Sequence, residues 1–192
     1  MSHHEHVVSL RDGTRCLVRP IRADDKDKLI EGLDRLSPES RYRRFLRPVN
    51  SLNEREVRYL TEIDYVNHFA WAAMALDLSG QPGLGVARYV RDPIDPDVAE
   101  MAVAVLDEFQ GNGLGTILLS LLSETAHING ITVFRAWVLG ENHQALALLD
   151  GPGTRKTADQ GLLKVEIDLP DALQGSTMQA ALRAAAAGQL PT

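Results

Sequence analysis

Two spacings of hydrophobic residues alternate along the chain, one typical of β-strands and one typical of amphipathic helices. Helical spacing is clearest over Gly113–His127, where apolar residues recur three and four positions apart. Turn-forming sequences separate the blocks, as at Asp12-Gly13 and in the proline-containing stretch Asp92–Asp97. The pattern predicts strands over Val7–Leu10, Thr14–Ile21, Phe69–Leu78, Leu84–Val90, Val98–Leu106, Thr132–Val138 and Leu163–Leu169. It predicts helices over Ala23–Leu36, from Ser37-Pro38 onward, and over Ser51–Ile63, Gly113–His127 and Asn142–Leu149.

Two of these helices begin with recognisable cap sequences. Ser37-Pro38-Glu39 has the order of a polar cap followed by proline, and Ser51-Leu-Asn-Glu54 has the spelling of a capping box. Strands and helices mixed around one core predict an α/β or α+β fold with a partly antiparallel sheet.

The composition of the chain excludes several classes of function and site. The chain has 192 residues, 44% of them hydrophobic and 24% charged, which is enough for one packed domain. The net charge of −6 argues against broad nucleic-acid binding, because that requires many lysine and arginine side chains to displace counterions. The lone cysteine, Cys16, is expected in the core; it excludes an internal disulfide and a multi-cysteine zinc site, and we expect no bound metal.

The start of the chain and the length of its apolar runs indicate where in the cell the protein is expected. The longest runs, such as Ala70–Leu76, are short beside the ~20 residues that a membrane-spanning helix needs. The start of the chain, Met1-Ser-His-His-Glu-His6, lacks the basic and apolar regions of a secretory signal, so we expect a cytoplasmic protein without a membrane partner. Residues 171–192 become alanine-rich, which predicts a loosely attached tail.

A glycine-rich loop, Gln110-Gly-Asn-Gly-Leu-Gly115, lies between a predicted strand and the longest predicted helix. Glycine allows a ligand close to the backbone, and the first turn of a helix presents N–H groups without internal partners. Such a loop is suited to an anion, in particular a pyrophosphate. It is not a P-loop, because no lysine precedes Thr116, and it is not a Rossmann fingerprint, because Thr116 stands where the third glycine is required.

The loop matches the pattern Gln/Arg-x-x-Gly-x-Gly/Ala and resembles the pyrophosphate loop of the GNAT superfamily of N-acetyltransferases. Asn142-His-Gln-Ala145 is similar to that family's second cofactor-contacting helix, and Val18–Asp25 is similar to its first strand-to-helix passage. Leu36–Phe45 and Val98–Val103 are similar to the bacterial protein-lysine acetyltransferases of the Pat type. The resemblance extends over roughly Thr14 to Leu169.

The resemblance implies a single GNAT-type domain over residues 14–170, preceded by an arm and first hairpin strand over residues 1–13. Its sheet would be mixed but mostly antiparallel, with helices on both faces. Acetyl-CoA would be the co-substrate, its pantetheine pairing with a splayed strand near Val103–Val105 and its pyrophosphate lying on the loop. The cofactor-binding residues implied are Val103, Ala104, Val105, Gln110, Gly111, Asn112, Gly113, Leu114, Gly115, Thr116, Asn142 and Ala145.

Acetyl transfer requires that the acceptor amine lose a proton. A carboxylate within hydrogen-bond reach accepts that proton, which is typically worth about 10²–10⁴ in rate. In the Pat-type group the acid at the position of Glu100 is the general base, so the resemblance assigns this role to Glu100. Its strand parity is shared by Ala102 and Ala104, whose small side chains leave space for a substrate, and we expect Glu100 to be partly buried.

Some of these residues also have a purely structural interpretation. Asn142 is a good helix N-cap. The basic cluster Arg41, Arg43, Arg44 and Arg47 is expected to form a solvated helix face rather than to grip the 3′-phosphate of CoA or an acidic partner.

The expected function is direct transfer of acetyl from acetyl-CoA to a primary amine, with a protein lysine favoured by the resemblance. Two alternatives stay open: a GNAT enzyme acting on a polyamine, amino acid or aminoglycoside, and a non-catalytic acyl-CoA-binding regulatory module. The second arises because Leu149–Arg155 lacks the tyrosine with which many GNAT enzymes protonate the thiolate. An open groove would favour a protein acceptor and an enclosed acidic pocket a small amine. A homodimer is left open.

Overall fold

A computed structural model describes residues 5–169, and within them the backbone forms one eight-stranded sheet and five α-helices. The strands are β1 His6–Ser9, β2 Arg15–Pro20, β3 His68–Ala75, β4 Gly83–Arg91, β5 Val98–Val105, β6 Val133–Leu139, β7 Thr154–Asp159 and β8 Leu162–Asp168. The helices are α1 Lys26–Arg35, α2 Pro38–Phe45, α3 Glu54–Thr61, α4 Leu114–Ile128 and α5 His143–Leu148. The tail predicted over residues 171–192 lies outside the described residues.

The strand order in the sheet is β1-β2-β3-β4-β5-β6-β8-β7. All neighbouring strands are antiparallel except β5 and β6, which run parallel and are connected by α4. A parallel pair requires such a crossover, whereas tight turns suffice for the antiparallel pairs. The predicted mixed, mostly antiparallel sheet is confirmed.

Strand register assigns side chains to two faces of the sheet. Ala70, Arg88 and Ala102 are direct cross-strand neighbours and therefore lie on one face, which we call the front face. The helices α1, α2 and α3 cover the front face, and the loop residue Ile63 packs there against alanine side chains of β3. The opposite, back face is covered by α4, so helices lie on both faces as predicted.

The main core lies between the back face and α4. Ile117, Leu118 and Leu122 are fully buried there against aromatic side chains of β3 and β4. Trp71 joins strand to helix more specifically, because its Nε1–H donates a hydrogen bond of 3.0 Å to Oγ1 of Thr125. Burying an aliphatic side chain is worth about 1.5–3 kcal/mol. This packing therefore fixes the position of α4, and with it the glycine-rich loop at the start of α4.

Local cap chemistry explains where two front-face helices begin. Ser37 caps α2 as predicted, accepting a 3.1 Å hydrogen bond from the Ser40 N–H. The capping box of α3 was predicted at Ser51 and is instead formed by Asn53 and Glu56, whose side chains each accept from the other's backbone N–H. The sequence contains two possible capping boxes, Ser51 with Glu54 and Asn53 with Glu56. The structure forms the second, so α3 begins at Glu54.

The sequence pattern predicts one strand after the helix that the structure shows as α5, but the structure has two strands there. The unpredicted strand is β7, an edge strand whose side chains are exposed except for the partly exposed Thr154. An exposed edge strand carries no apolar alternation, so periodicity did not indicate it. Arg155 anchors β7 to β8 through a two-bond ion pair with Asp168, at 2.5 and 2.9 Å.

Candidate functional site

The strands β5 and β6 separate partway along their length. Their parallel pairing covers only Val98–Glu100 with Val133–Arg135. Beyond these residues, Met101–Val105 and Ala136–Leu139 diverge. A wedge opens between them, and its edges carry backbone N–H and C=O groups that no neighbouring strand of the described chain takes up across the wedge. The splay that the resemblance implied is therefore present.

A cavity of about 620 Å³ occupies the wedge and extends to the glycine-rich loop. Its walls come from α2, β5, β6, α5 and the loop before α4. This volume is within the usual range for sites that bind small molecules and cofactors. Of the cofactor-binding residues expected from the sequence, the lining includes Val103, Ala104, Val105, Gln110, Gly111, Gly113, Gly115, Thr116, Asn142 and Ala145.

Two of the expected residues lie elsewhere. The side chain of Asn112 turns toward the first hairpin, where it donates a 3.1 Å hydrogen bond to Asp12. Leu114 is buried in the main core, because the apolar side of α4 already includes this first helical residue. The carbonyl of Asn112 accepts a 3.2 Å hydrogen bond from the Arg11 N–H, so what Asn112 and Leu114 have left for a ligand at the loop is their backbone N–H groups.

The start of α4 differs from the other capped helices. Side chains cap α2, α3 and α5, whereas the N-cap of α4 is Gly113, which has no side chain to offer. Gly113 has φ +90°, a conformation that L-residues rarely adopt. The first-turn N–H groups therefore face the cavity without a cap, and the positive end of the helix dipole favours an anion there.

The charged side chains on the cavity wall are positive, like the N-terminal end of the α4 dipole. Arg11, Arg43 and Arg44 line the cavity, and no acidic side chain does so among the described residues, although the chain as a whole carries a net charge of −6. This local excess of positive charge suits a ligand with several phosphates. Arg11 was not expected from the sequence, because it belongs to the turn of the first hairpin and reaches the loop only in the folded chain.

The basic cluster on and after α2 was expected to be a solvated helix face, and this is wrong for Arg41, Arg43 and Arg44, which are all partly buried. Arg41 donates hydrogen bonds to three backbone carbonyls around both ends of α2. Arg44 is half-buried, and this burial lowers its pKa, with the carboxylate of Glu100 opposing the shift. Only Arg47, paired with Glu56 at 2.9 Å, has the exposed setting expected.

Glu100 lies where the wedge begins. It is the last residue of β5 that pairs with β6, and its side chain is on the front face with Ala102 and Ala104. The side chain is exposed, in contrast to the partial burial expected, because its cross-strand neighbours Val90 and Arg135 are themselves partly exposed. A carboxylate in this position is open to a group approaching from outside the protein.

Asn142 and Gln110 have structural roles as well as a place on the cavity wall. The side-chain oxygen of Asn142 caps α5 by accepting a 3.1 Å hydrogen bond from the Ala145 N–H. The side-chain amide of Gln110 donates to the carbonyl of Val105 at 3.0 Å and so ties the loop to the end of β5. Both contacts fix the edges of the cavity.

A buried polar pair lies on the front face behind this site. Arg88 Nη1 is 3.0 Å from Nε2 of His68, which is consistent with a neutral imidazole accepting the hydrogen bond. Burial lowers the pKa of His68 to about 4; the charge of Arg88 adds to this and Asp64 opposes it. This pair was not predicted from the sequence. The signal that could have indicated it is Arg88 itself, a single charged residue in the otherwise apolar strand predicted over Leu84–Val90.

We predict that acid destabilises the fold through His68. Between pH 6.5 and about 4 the unfolded chain binds a proton on this imidazole that the folded chain does not bind. The free energy of unfolding therefore falls as the pH is lowered through this window, by about 3 kcal/mol. Urea denaturation at a series of pH values would show the loss in the wild type. His68→Gln keeps an acceptor for Arg88 but does not titrate, so its loss over the same window should be smaller by that amount; equal losses would contradict the prediction.

Other candidate chemistries find no support among residues 5–169. Cys16 is fully buried in the core, as expected, and this burial raises the pKa of its thiol to about 12, which is unsuitable for a nucleophile. That part of the chain contains no group of three side chains able to hold a metal ion. Nor does any helix there have the length and apolar character needed to cross a membrane.

Comparisons with known proteins agree with this geometry. The model of the acetyltransferase (GNAT) family matches residues 38–150. The acetyltransferase Pat of Mycolicibacterium smegmatis is 33% identical over 167 residues, covering 85% of this chain and 48% of the relative. The chain thus spans about half the length of that relative.

Solved structures are similar to this chain as well. The GNAT domain of S. lividans PAT superposes with a TM-score of 0.77 at 31% identity, covering 85% of this chain and 96% of that domain. The yncA protein of Salmonella typhimurium, solved with its cofactor acetyl-CoA, has a TM-score of 0.61 at 17% identity, covering 80% and 94% of the two chains. At that identity the likeness concerns the fold alone. The family match and the S. lividans domain together establish that this chain belongs to the GNAT family of acetyltransferases.

Proposed function

We propose that this acetyltransferase transfers the acetyl group of acetyl-CoA directly to a lysine side chain of another protein, with Glu100 as the general base. The observation that carries the proposal is the wedge between β5 and β6. It joins an uncapped helix N-terminus, suited to a pyrophosphate, to an exposed carboxylate on the front face.

The cofactor is proposed to bind along the wedge. The pyrophosphate would accept hydrogen bonds from the N–H groups at Gly113–Thr116, and nearby arginines would neutralise the remaining phosphate charge. The pantetheine would pair with the free edge of β5 at Val103–Val105, which directs the thioester toward Ala104 and Glu100. A main-chain N–H on this edge is suitably placed to polarise the thioester carbonyl.

The chemical step needs a base and a proton for the leaving group. Glu100 would accept a proton from the lysine ammonium, directly or through one water, and the neutral nitrogen would attack the thioester carbon. The C–N bond forms as the C–S bond breaks, and the thiolate leaves. No tyrosine lines the cavity among the described residues, so we assign protonation of the thiolate to solvent.

The acceptor side favours a protein over a small cationic amine. A polyamine or aminoglycoside would need an enclosed acidic pocket, but the described cavity walls near Glu100 carry arginines. Among the described residues, the side chain of Glu100 is exposed. A lysine on the surface of another protein would therefore reach this carboxylate. The Pat relative is an acetyltransferase of this group by name, and the resemblance adds to the same proposal.

A thiol-release assay tests the acceptor class. With acetyl-CoA in excess, we expect kcat/KM for a library of lysine-centred peptides to exceed that for a polyamine, a free amino acid or an aminoglycoside by at least about tenfold, or ~1.4 kcal/mol in the barrier. The same peptides with the lysine already acetylated are the matched control and should release no thiol. A small amine that outperforms every peptide would overturn the protein-lysine proposal while leaving acetyl-CoA binding intact.

A further inference from the structure

A second, smaller cavity adjoins the cofactor cavity on the front face. Its volume is about 90 Å³, and it lies beneath α1, α2 and α3 against β3 and β4. Leu36, Arg44 and Ala104 line both cavities, so the two meet where the acyl end of the co-substrate is proposed to lie. A water molecule needs about 10–15 Å³ by this measure, so the small cavity has room for roughly six to nine water-sized groups.

The walls of this cavity are mostly apolar, but they include a buried cation. Arg88 is only 4% exposed and lines the cavity. Its Nη1 and Nη2 donate to the carbonyl of Leu60 at 3.2 Å each, while its Nε is buried without a hydrogen-bond partner. No ion pair joins Arg88 to an acidic side chain anywhere in residues 5–169.

The neighbours of Arg88 do not neutralise it. Arg44 is the nearby charge that lowers the pKa of Arg88 further, after the larger effect of burial. Asp25 also lines the cavity, but a bidentate ion pair with Arg19, at 2.6 and 2.7 Å, occupies both of its oxygens. A buried charge ordinarily has a counter-charge, because burial without one costs several kcal/mol. The cavity therefore presents an uncompensated positive charge inside an apolar wall.

We propose that this cavity receives an acyl chain ending in a carboxylate, as in succinyl-CoA, with Arg88 as the carboxylate-binding residue. The chain would pass Ala104, whose small side chain leaves the passage open, and Arg44 would flank its entrance. The methylene groups would contact the apolar wall, and the carboxylate would accept a charge-assisted hydrogen bond from the guanidinium of Arg88.

Transfer of such a group forms and breaks the same bonds as acetyl transfer. The amine nitrogen loses one proton and forms a C–N bond to the acyl carbon, the C–S bond breaks, and the CoA thiolate takes up a proton. The terminal carboxylate takes no part in the exchange and is carried into the amide product. The acceptor lysine would change from a cation to an anion, whereas acetylation makes it neutral.

The inference rests on the proposed function, since it requires acyl-CoA in the wedge. The test is isothermal titration of the full chain with acetyl-CoA, butyryl-CoA and succinyl-CoA. Butyryl and succinyl groups have the same chain length and differ in the terminal carboxylate. We expect succinyl-CoA to bind about tenfold more tightly than butyryl-CoA, as one charge-assisted hydrogen bond provides.

Variants locate the effect at Arg88. In Arg88→Met the preference for succinyl-CoA should shrink to about twofold or less. Arg58→Met removes an exposed arginine that pairs with Glu54 outside both cavities, and it should keep the full preference. The wild-type comparison stands on its own if Arg88→Met does not fold.

The outcomes separate the two proposals. Equal or weaker binding of succinyl-CoA than butyryl-CoA in the wild type overturns the inference, as does a preference that survives Arg88→Met. If acetyl-CoA binds and only the succinyl preference is missing, the proposed function stands and this inference alone fails. If no acyl-CoA binds, both fail.

Discussion

Glu100→Gln is expected to lower kcat/KM for acetylation of a lysine peptide by about 10²–10⁴, the usual contribution of a positioned general base. The Kd for acetyl-CoA should not change, because Glu100 does not line the cofactor cavity. Glutamine keeps the size and hydrogen-bonding capacity of the side chain but cannot accept the proton. The loss should therefore appear in turnover and not in cofactor binding.

The position of Glu100 makes this a strict test. The carboxylate is exposed at the point where β5 and β6 begin to separate, so the substitution leaves no buried group unsatisfied and the fold should be unaffected. Glu124→Gln is the matched control: Glu124 is exposed on α4, on the back side of the sheet, and its loss should change neither rate nor binding. Full activity in Glu100→Gln would show that another group is the base.

The second large effect is expected at the loop. Gly113→Val should weaken acetyl-CoA binding on the order of 100-fold, equivalent to losing one or two charge-assisted hydrogen bonds. Valine is strained at φ +90°, so the backbone at the start of α4 must move and its N–H groups lose their direction toward the phosphates. The Kd for acetyl-CoA, measured by titration calorimetry, gives the result directly.

A control at the other end of the same helix separates binding from strain. Gly130 follows α4 with φ +79° and has open space around its α-carbon, so Gly130→Val imposes comparable strain far from the cavity. Both variants should lose about 1–2 kcal/mol of stability in urea denaturation. Only Gly113→Val should lose affinity. Equal Kd values for the two variants would mean that the loop does not hold the cofactor.

The most reliable sequence predictions concerned features encoded by neighbouring residues. The apolar spacing of Gly113–His127 and the glycines before it specify α4 and its uncapped start locally, and the structure has both. The hairpin at Asp12-Gly13 and the Ser37 cap of α2 are likewise present. In each case the signal and its consequence are a few residues apart.

The expectations that failed, and the features that were not predicted, depended on distant parts of the chain. The exposure of Glu100 follows from how far β6 pairs with β5, which the local sequence does not encode. Arg44 reaches the site because α2 packs over β5. Arg88 is a buried cation because helices lie over the front face, and its guanidinium donates to the carbonyl of Leu60 on α3. The strand β7 is held by pairing with β8 and by ion pairs, so it has no apolar spacing to detect.

The central claim is that the backbone N–H groups at the start of α4 hold the pyrophosphate of CoA. The most direct measurement is an NMR titration of the ¹⁵N-labelled full chain with CoA, following the glycine amide resonances. We predict that the amide signals of Gly111, Gly113 and Gly115 shift in a saturable manner with a single Kd, while that of Gly130 does not move. A titration in which CoA binds but the three loop signals stay in place, or in which no signal responds, would contradict the claim.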